Sequence, residues 1–285
     1  MTEMFLLLGI LLILTIPFVV LWIIRGNKTL ETDFILINDG KIPLDFSGFK
    51  IAQISDLHDA EFGENNEQLL LQLKKTEADI IVITGDIIDS RRVDVKKALD
   101  FAKQAVAIAP IYYVNGNNES RVPDAYKELK SGLEAYGVTV LENSTVTLRK
   151  GISVISLTGI SDPKFNKKIG PGWKRNPADI HIDAIPENKN YKILLAHRPE
   201  YIDYYAGNAN LVFSGHAHGG QFILPFIGGI LAPGQGFFPK YYDGLYEYGS
   251  TKMIVSRGLG NSSFPFRVNN KPVIVLTELN SVSRP

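Results

Sequence analysis

Two of the five histidines in this chain stand two residues apart in a short glycine-rich turn. His216 and His218 have glycines on both sides, and the turn follows the apolar run 211–213. Glycine lets the backbone turn tightly, so both imidazoles can face one space, as a pair of metal ligands must. The alternative interpretation of this stretch alone is an ordinary loop that carries two surface histidines.

The other candidate residues also follow apolar, strand-like runs. The runs 49–54, 79–83 and 111–114 each end in a tight polar turn, and helical patterns at 65–76 and 94–108 separate them. This alternation is typical of βαβ units, which bring side chains to the carboxyl edge of a sheet. The candidates at such strand ends are Asp56, His58, Asp86, Asn117, His197, His216 and His218.

Composition limits both the chemistry and the partners. The 285 residues include 30 basic and 30 acidic side chains and no cysteine. A neutral chain without a basic stripe does not predict nucleic-acid binding. The absence of cysteine excludes disulfides, thiolate metal sites and a cysteine nucleophile. Any metal ion must then be held by His, Asp, Asn or Glu, which suits divalent Mn, Fe or Zn.

The N-terminus predicts a membrane anchor. Residues 5–24 carry no charge, and at about 1.5 Å per residue a helix of that length spans the roughly 30 Å hydrocarbon core. We expect one uncleaved transmembrane helix within an anchor at 1–28, an extended tether at 29–48, and a catalytic domain at 49–285. A cleaved signal peptide, the alternative, would need a basic start and a small-residue cleavage site. Two basic residues follow the run and none precedes it, which favours a single-pass cell-membrane protein with a cytoplasmic domain.

Taken in order, the strand-end motifs resemble those of the calcineurin-like metallophosphoesterases over residues 49–280. That family's pattern is D-x-H, G-D-x-x-D, G-N-H-[DE], a lone histidine and G-H-x-H. The resemblance implies an α/β fold, a four-layer α/β/β/α sandwich in which two mixed sheets pack face to face between helices. It also implies two divalent metal ions, one held by Asp56, His58 and His218 and the other by Asn117, His197 and His216, with the Asp86 carboxylate bridging both.

One position departs from the family pattern. Asn118 stands where the family has a histidine that contacts the phosphate or protonates the leaving oxygen. An amide can donate a hydrogen bond but cannot act as a general acid, whose loss typically costs about 10²–10⁴-fold in rate. Three explanations stay open: a substrate with a good leaving group, replacement of the acid by Arg198 or by a water held by Glu119, or an altered and slow enzyme.

Further features resemble one branch of the family, the membrane-associated phosphoesterases grouped with UDP-2,3-diacylglucosamine hydrolases. They are the anchor and the tail segments 256–260 and 265–267. Eight aromatic residues in 222–248 predict either an apolar lip that accepts acyl chains beside the metals, or a loop packed on its own domain. Arginines bind phosphate or pair with carboxylates. The expected substrate-binding residues are Asn117, Arg198, Arg257 and Arg267.

The sequence therefore predicts a membrane-anchored, binuclear-metal phosphoesterase that hydrolyses a phosphodiester or pyrophosphate bond. Its expected substrate is lipid-linked or resembles UDP-diacylglucosamine, and Asp86 and Asn118 are the expected catalytic residues. The alternative is a metal-bound but catalytically weak binding module at the membrane. Asn118 in place of the acid histidine is the feature that indicates this alternative. Turnover of an activated aryl phosphodiester distinguishes the two. The oligomeric state is not predicted.

Overall fold

Two six-stranded β-sheets form the centre of the protein. The structure is a computed structural model that describes residues 2–165, 180–261 and 264–282, except for the side chains of residues 2–4 and 6–12. In spatial order, the strands of the first sheet are β1 (Glu31–Asn38), β16 (Val273–Asn280), β2 (Phe49–Ile54), β3 (Ile80–Thr84), β4 (Ile111–Val114) and β5 (Thr139–Val140). Those of the second are β14 (Gly244–Tyr248), β15 (Thr251–Val255), β9 (Leu211–Ser214), β8 (Tyr191–Ala196), β7 (Ser153–Ile160) and β6 (Ser144–Lys150).

Both sheets are mixed. In the first sheet β16 runs antiparallel to β2, and the remaining neighbours are parallel. In the second sheet the outermost pairs at each edge, β14 with β15 and β6 with β7, are antiparallel. Two small hairpins lie between β9 and β14 and consist of β10 (Ile223–Leu224) with β11 (Gly228–Gly229), and β12 (Leu231–Ala232) with β13 (Gly236–Phe237).

Along a central strand, alternate side chains pack into two different layers of the core. On β3, Ile81 and Ile83 pack toward the helices, while Ile80 and Val82 pack between the two sheets. A strand that is buried on both faces reads as a continuous apolar run, which is why the sequence pattern at 79–83 shows no polar alternation. Five helices are described: α1 (Thr2–Lys28), α2 (Glu67–Lys75), α3 (Val95–Ala105), α4 (Pro123–Ala135) and α5 (Ile202–Tyr205).

Helices α2, α3 and α4 cover the outer face of the first sheet, and α5 with irregular segments covers that of the second. The prediction of two mixed sheets with helices outside is confirmed. Helix α4 was not among the predicted elements, although its buried residues Tyr126, Leu129 and Leu133 follow helical spacing.

The N-terminal segments differ from the expectation. Of the residues that the structure describes, no helix is both long and apolar enough to cross a membrane, so the predicted transmembrane helix is not found. That predicted span, 5–24, lies in α1 and falls partly on the residues 6–12, whose side chains lie outside the description.

The segment 29–48, predicted as a tether, contains an edge strand of the first sheet. Strand β1 is extended, as expected, but it pairs in parallel with β16 along its whole length. Ile35 and Ile37 pack into the core between the sheets, and this burial is what draws the segment into the domain.

Candidate metal centre

The loops that follow β2, β3, β4, β8 and β9 converge at one edge of the two sheets. Backbone hydrogen bonds join them: the amide of Asp56 donates to Gly85, that of His58 donates to Asp86, and that of Gly215 donates to His197. The carboxyl ends of parallel strands meet at one edge, so side chains far apart in sequence become neighbours there. Every ligand candidate predicted from the sequence lies at this edge and is buried.

Six of these side chains form two groups of potential ligands. Asp56, His58 and His218 make the first group, and Asp86, His197 and His216 the second; within each group the ligand atoms lie within 4.8 Å of one another. In the first group the Nε2 atoms of His58 and His218 are 3.2 Å apart. In the second group, 3.1 Å separates Nδ1 of His216 from Nε2 of His197.

The Asp86 carboxylate lies between the two groups. Its Oδ2 atom is 3.4 Å from Nε2 of His197 and 3.7 Å from Nε2 of His58. Asn118 also holds this carboxylate: its backbone amide donates to Oδ1 at 2.7 Å, and its side-chain Nδ2 donates to Oδ2 at 2.5 Å. The Asn118 side chain is fixed in turn, because its Oδ1 accepts hydrogen bonds from Ser90.

The backbone at this edge is strained. Five of the six grouped residues adopt left-handed φ angles between 48° and 65°, and they are Asp56, His58, Asp86, His216 and His218. Such conformations cost on the order of 1 kcal/mol each for residues other than glycine, and they are concentrated at functional sites. Glycine makes the close approach of the loops possible: a Cβ on Gly116 would lie 2.3 Å from Oδ1 of Asp86.

Hydrogen bonding fixes which nitrogen of His197 faces the centre. Nδ1 lies 2.7 Å from the carbonyl oxygen of Thr84, which can only accept, so Nδ1 carries the proton and Nε2 faces Asp86 and His216. Burial lowers the pKa of His197, but the carboxylates of Asp86, Asp56 and Asp162 together outweigh burial and raise it to about 10. In Asp86, burial raises the pKa, but His197, His58 and the Asn118 amide together hold it well below the usual range. The centre therefore favours positive charge beside Asp86.

Burial shifts the other members in the direction of their neutral forms. It raises the pKa of Asp56. It also lowers the pKa values of His216 and His218, with further lowering by Arg198 and His58 respectively. Neutral imidazoles present lone pairs, which is the state that a metal ligand requires.

Asn117 and Asn118 line the cavity above the two groups. This cavity has a volume of about 450 Å³ and is also lined by Asp86, His58, His216 and His218. The side-chain oxygen of Asn117 is buried and has no hydrogen-bond partner among the described residues. An amide oxygen in this state is available to a cation, which fits the ligand role predicted for Asn117.

Glu119 connects the loop that carries Asp86 with the loop that carries Gly116. It is fully buried, and its two carboxyl oxygens accept hydrogen bonds from the backbone amides of Asp86, Ile87, Ile88 and Gly116 at 2.8–3.3 Å. Burial and the Asp86 charge raise the pKa of Glu119 to about 8, against the amide donors, which favour the ionised form. Both oxygens are occupied by donors, so Glu119 does not present a water to the cavity.

Arg198 lines the cavity, and its Nε and Nη1 atoms are already engaged. Its Nε donates to Asp162 at 2.6 Å, and its Nη1 lies 3.2 Å from Glu200 and 3.0 Å from Nε2 of His216. Burial lowers its pKa, but the Asp162 and Glu200 carboxylates outweigh that effect and raise it above the ordinary value. A guanidinium that is held charged in this way cannot donate a proton to a leaving group.

The structure does not bring Arg257 and Arg267 into the cavity. The Arg257 guanidinium forms ion pairs with Asp33, Asp243 and Glu31. Arg267 is buried and donates to the backbone carbonyls of Arg257, Gly258 and Gly260. Burial lowers its pKa to about 10. Arg267 Nη2 also lies 3.4 Å from Nδ1 of His218. The segment 257–260 is held against the loop of Asp56 by backbone hydrogen bonds, in which Leu259 donates to Ser55 and Gly260 donates to Asp56.

Comparison with known proteins agrees with the geometry. Residues 49–220 match the family model described as calcineurin-like phosphoesterase. The chain is 32% identical to YkuE of Bacillus subtilis, named an uncharacterized metallophosphoesterase, over 89% of this chain and 87% of that protein. The chain belongs to the calcineurin-like phosphoesterase family. It is therefore a metal-dependent phosphoester hydrolase.

A further relative supports this assignment, and a solved structure shares the fold. The phosphoesterase is 25% identical to the Escherichia coli phosphodiesterase YaeI, over 81% of this chain and 82% of that protein. Its fold is similar to that of TT1561 from Thermus thermophilus, with a TM-score of 0.50 at 14% identity over 75% of this chain and 91% of that one. The latter similarity concerns the fold alone.

Proposed function

We propose that the chain is a binuclear-metal hydrolase of phosphodiester or pyrophosphate bonds. The observation that carries this proposal is the position of the Asp86 carboxylate, within 3.7 Å of a histidine nitrogen from each group. Two dications a few ångströms apart repel strongly, and a shared anionic ligand offsets that repulsion. In this proposal one ion is held by Asp56, His58 and His218 and the other by Asn117, His197 and His216, with Asp86 bridging them.

The residues fit divalent ions. Imidazole, carboxylate and amide oxygen donors suit Mn, Fe or Zn, and no thiolate is needed. The unpartnered oxygen of Asn117 and the positive charge favoured beside Asp86 are both expected of a cation site. When bound, two such ions supply Lewis acidity toward the phosphoryl oxygens and a water of lowered pKa.

The protein's own residues orient the reacting groups. Thr84 fixes the tautomer of His197, and Asn118 holds the Asp86 carboxylate with two hydrogen bonds. Neither of the two residues considered as a replacement for the missing acid histidine can act in that role, because Arg198 stays charged and Glu119 is saturated by amide donors. A substrate whose leaving group needs little protonation, such as an aryl alcohol or a phosphate, therefore suits this centre. The name of the relative YaeI, a phosphodiesterase, supports the same class.

Hydrolysis of bis-p-nitrophenyl phosphate by the full chain, titrated with Mn²⁺, tests the proposal. We expect metal-dependent turnover that Asp86→Ala abolishes, because that substitution removes the bridge. The matched control is Asp183→Ala, since the Asp183 side chain is exposed and outside the centre. We expect Asn118→His to add little with this good leaving group.

Other outcomes separate the alternatives. Activity in Asn118→His alone would identify a centre disabled at one residue. If neither the wild type nor Asn118→His shows turnover although metal is bound, the result would favour the weak binding module over a hydrolase.

We also infer that the protein attaches to a membrane and acts on a lipid-linked substrate. Between residues 13 and 24, α1 exposes the apolar side chains of Ile13, Leu14, Ile16, Phe18, Val19, Val20, Leu21, Trp22 and Ile24. The aromatic segment 222–248 exposes more, with Phe226, Phe237 and Phe238 at least 66% accessible. Apolar surface of this extent is unfavourable in water and is typical of an interaction surface.

The aromatic segment connects α1 with the metal centre. Ile223 lines a cavity with Trp22 and Ile23 of α1, while Pro233 and Gly234 line the cavity of the metal centre. A bilayer in contact with α1 would therefore lie close to the exposed aromatic residues, which supports a lipid-linked substrate of the UDP-diacylglucosamine type.

Flotation with phospholipid vesicles tests the attachment. We expect the full chain to float with the vesicles and the variant Phe18→Asp/Leu21→Asp to float much less. Leu44→Asp is the control, because Leu44 is exposed and apolar but lies outside α1. A wild-type chain that stays in the bottom fraction would contradict the attachment.

A further inference from the structure

Four basic side chains surround the cavity of the metal centre: Arg91, Arg121, Lys164 and Arg198. Two of them are offset by carboxylates. Arg91 donates to both oxygens of Asp89, and Arg198 pairs with Asp162 and Glu200. These two arginines therefore contribute little net positive charge to the cavity.

The other two cations, Arg121 and Lys164, form no ion pair with a described carboxylate. Within the described part of the chain, neither head group takes part in a hydrogen bond or an ion pair, and both side chains are exposed. Arg121 comes three residues after Asn118, at the end of the turn 119–121, and Lys164 lies in the turn 163–165 that follows β7. The fold thus brings two cations to the mouth of one cavity from positions 43 residues apart.

The electrostatic surroundings of Lys164 agree with this placement. Burial lowers its pKa, and the charges of Arg198 and Arg121 lower it further, against the carboxylates of Asp162 and Asp86, which raise it. Arg121, Lys164 and Arg198 line one cavity mouth, and cations gathered in this way attract anions.

We propose that Arg121 and Lys164 form a second anion subsite, which binds a second phosphate group of the substrate while the metal centre holds the scissile phosphate. The preferred substrates would then be diphosphates, or phosphodiesters that carry a further phosphate, rather than simple monophosphate diesters. This inference rests on the proposed function. It narrows the substrate class, because an isolated phosphodiester would leave both cations unused.

The test measures binding and does not depend on turnover. Calorimetric titration of the Mn²⁺-loaded full chain compares methylenebisphosphonate, which has two phosphonate groups, with methylphosphonate, which has one. The proteins are the wild type, Arg121→Gln, Lys164→Gln, the double variant, and Lys127→Gln as the control. Lys127 is an exposed lysine of α4 that does not line the cavity. Excess Mn²⁺ in cell and syringe limits chelation by the bisphosphonate.

We expect the wild type to bind the bisphosphonate at least about tenfold more tightly than the monophosphonate. Each single variant should reduce this preference about threefold to fivefold, because a partly exposed ionic contact typically contributes about 1 kcal/mol or less. The double variant should reduce the preference about tenfold. Lys127→Gln should keep the wild-type preference.

Each other result has a definite meaning. A preference that persists in the double variant would show that both phosphonates bind the metals, and the subsite would be refuted while the metal centre stands. If the wild type binds both ligands equally, the subsite is also refuted. If the loaded wild type binds neither ligand and does not hydrolyse bis-p-nitrophenyl phosphate, the proposed function itself fails.

Discussion

The substitution Glu119→Gln tests how the metal centre is held in shape. Glu119 accepts four backbone hydrogen bonds, two at each oxygen, and these bonds join the loop of Asp86 to that of Gly116. In glutamine one oxygen becomes an NH₂ group, so two amide donors would face a donor. A buried hydrogen bond to a charged group contributes about 1.5–3 kcal/mol, so the loss of two predicts a destabilisation of about 3–6 kcal/mol.

Urea unfolding in EDTA, followed by circular dichroism, measures this difference without bound metal. The control is Glu128→Gln, on the exposed face of α4, which should change stability by less than about 0.5 kcal/mol. The prediction also distinguishes two protonation states. A neutral Glu119, as its raised pKa alone would suggest, resembles glutamine in charge and shape, and its substitution would cost little. The four donors favour the ionised form against the raised pKa, and the expected difference of about 3–6 kcal/mol assumes that form. A change within about 1 kcal/mol of wild type would therefore show a neutral Glu119 and refute this assignment.

Three further substitutions give separate tests. Gly116→Ala should lower Mn²⁺ affinity about 100-fold in calorimetry, because its Cβ would displace the Asp86 carboxylate; unchanged affinity would contradict the assigned bridge. Burial raises the pKa of Asp59 to about 6, so the native state favours its protonated form, and that stabilisation is lost as the pH rises through 6. Because Asp59 is partly exposed, we expect wild type to lose about 1 kcal/mol, or about 2 °C in Tm, relative to Asp59→Asn between pH 4 and 8 in EDTA; parallel pH profiles would refute this. Arg267→Met should lower Tm and Mn²⁺ affinity together, whereas lost affinity with unchanged Tm would mean a direct role at the centre.

The strand-end candidates were accessible from the sequence because their position depends on simple geometry. Asp56, Asp86 and His197 each follow a largely apolar strand, and parallel strands bring such residues to one edge. Their order along the chain and the glycines beside them indicated the family resemblance, and with it the expected ligand sets. The fold class followed from the same alternation of strands and helices.

Other features depend on contacts that no local pattern encodes. Arg257 forms ion pairs with Asp33 and Asp243, and Asp33 lies more than 200 positions away in the sequence. The structural role of Arg257 could therefore not be predicted from the sequence. The sequence of β1 is compatible with an extended tether, because its partner strand β16 lies at the other end of the domain's sequence. From the sequence, Glu119 was the last residue of a motif and a possible holder of a water, and nothing indicated its structural role. Its four amide donors come from two loops that meet only in the folded chain.

Metal stoichiometry combined with electron paramagnetic resonance tests whether a pair of metal ions is joined by Asp86. The full chain would be stripped of metal, titrated with Mn²⁺ and analysed beside Asp86→Ala. We expect two ions per wild-type chain with a spin-coupled spectrum, and loss of the coupling in Asp86→Ala. A single ion per chain, or two uncoupled ions in the wild type, would contradict the binuclear centre.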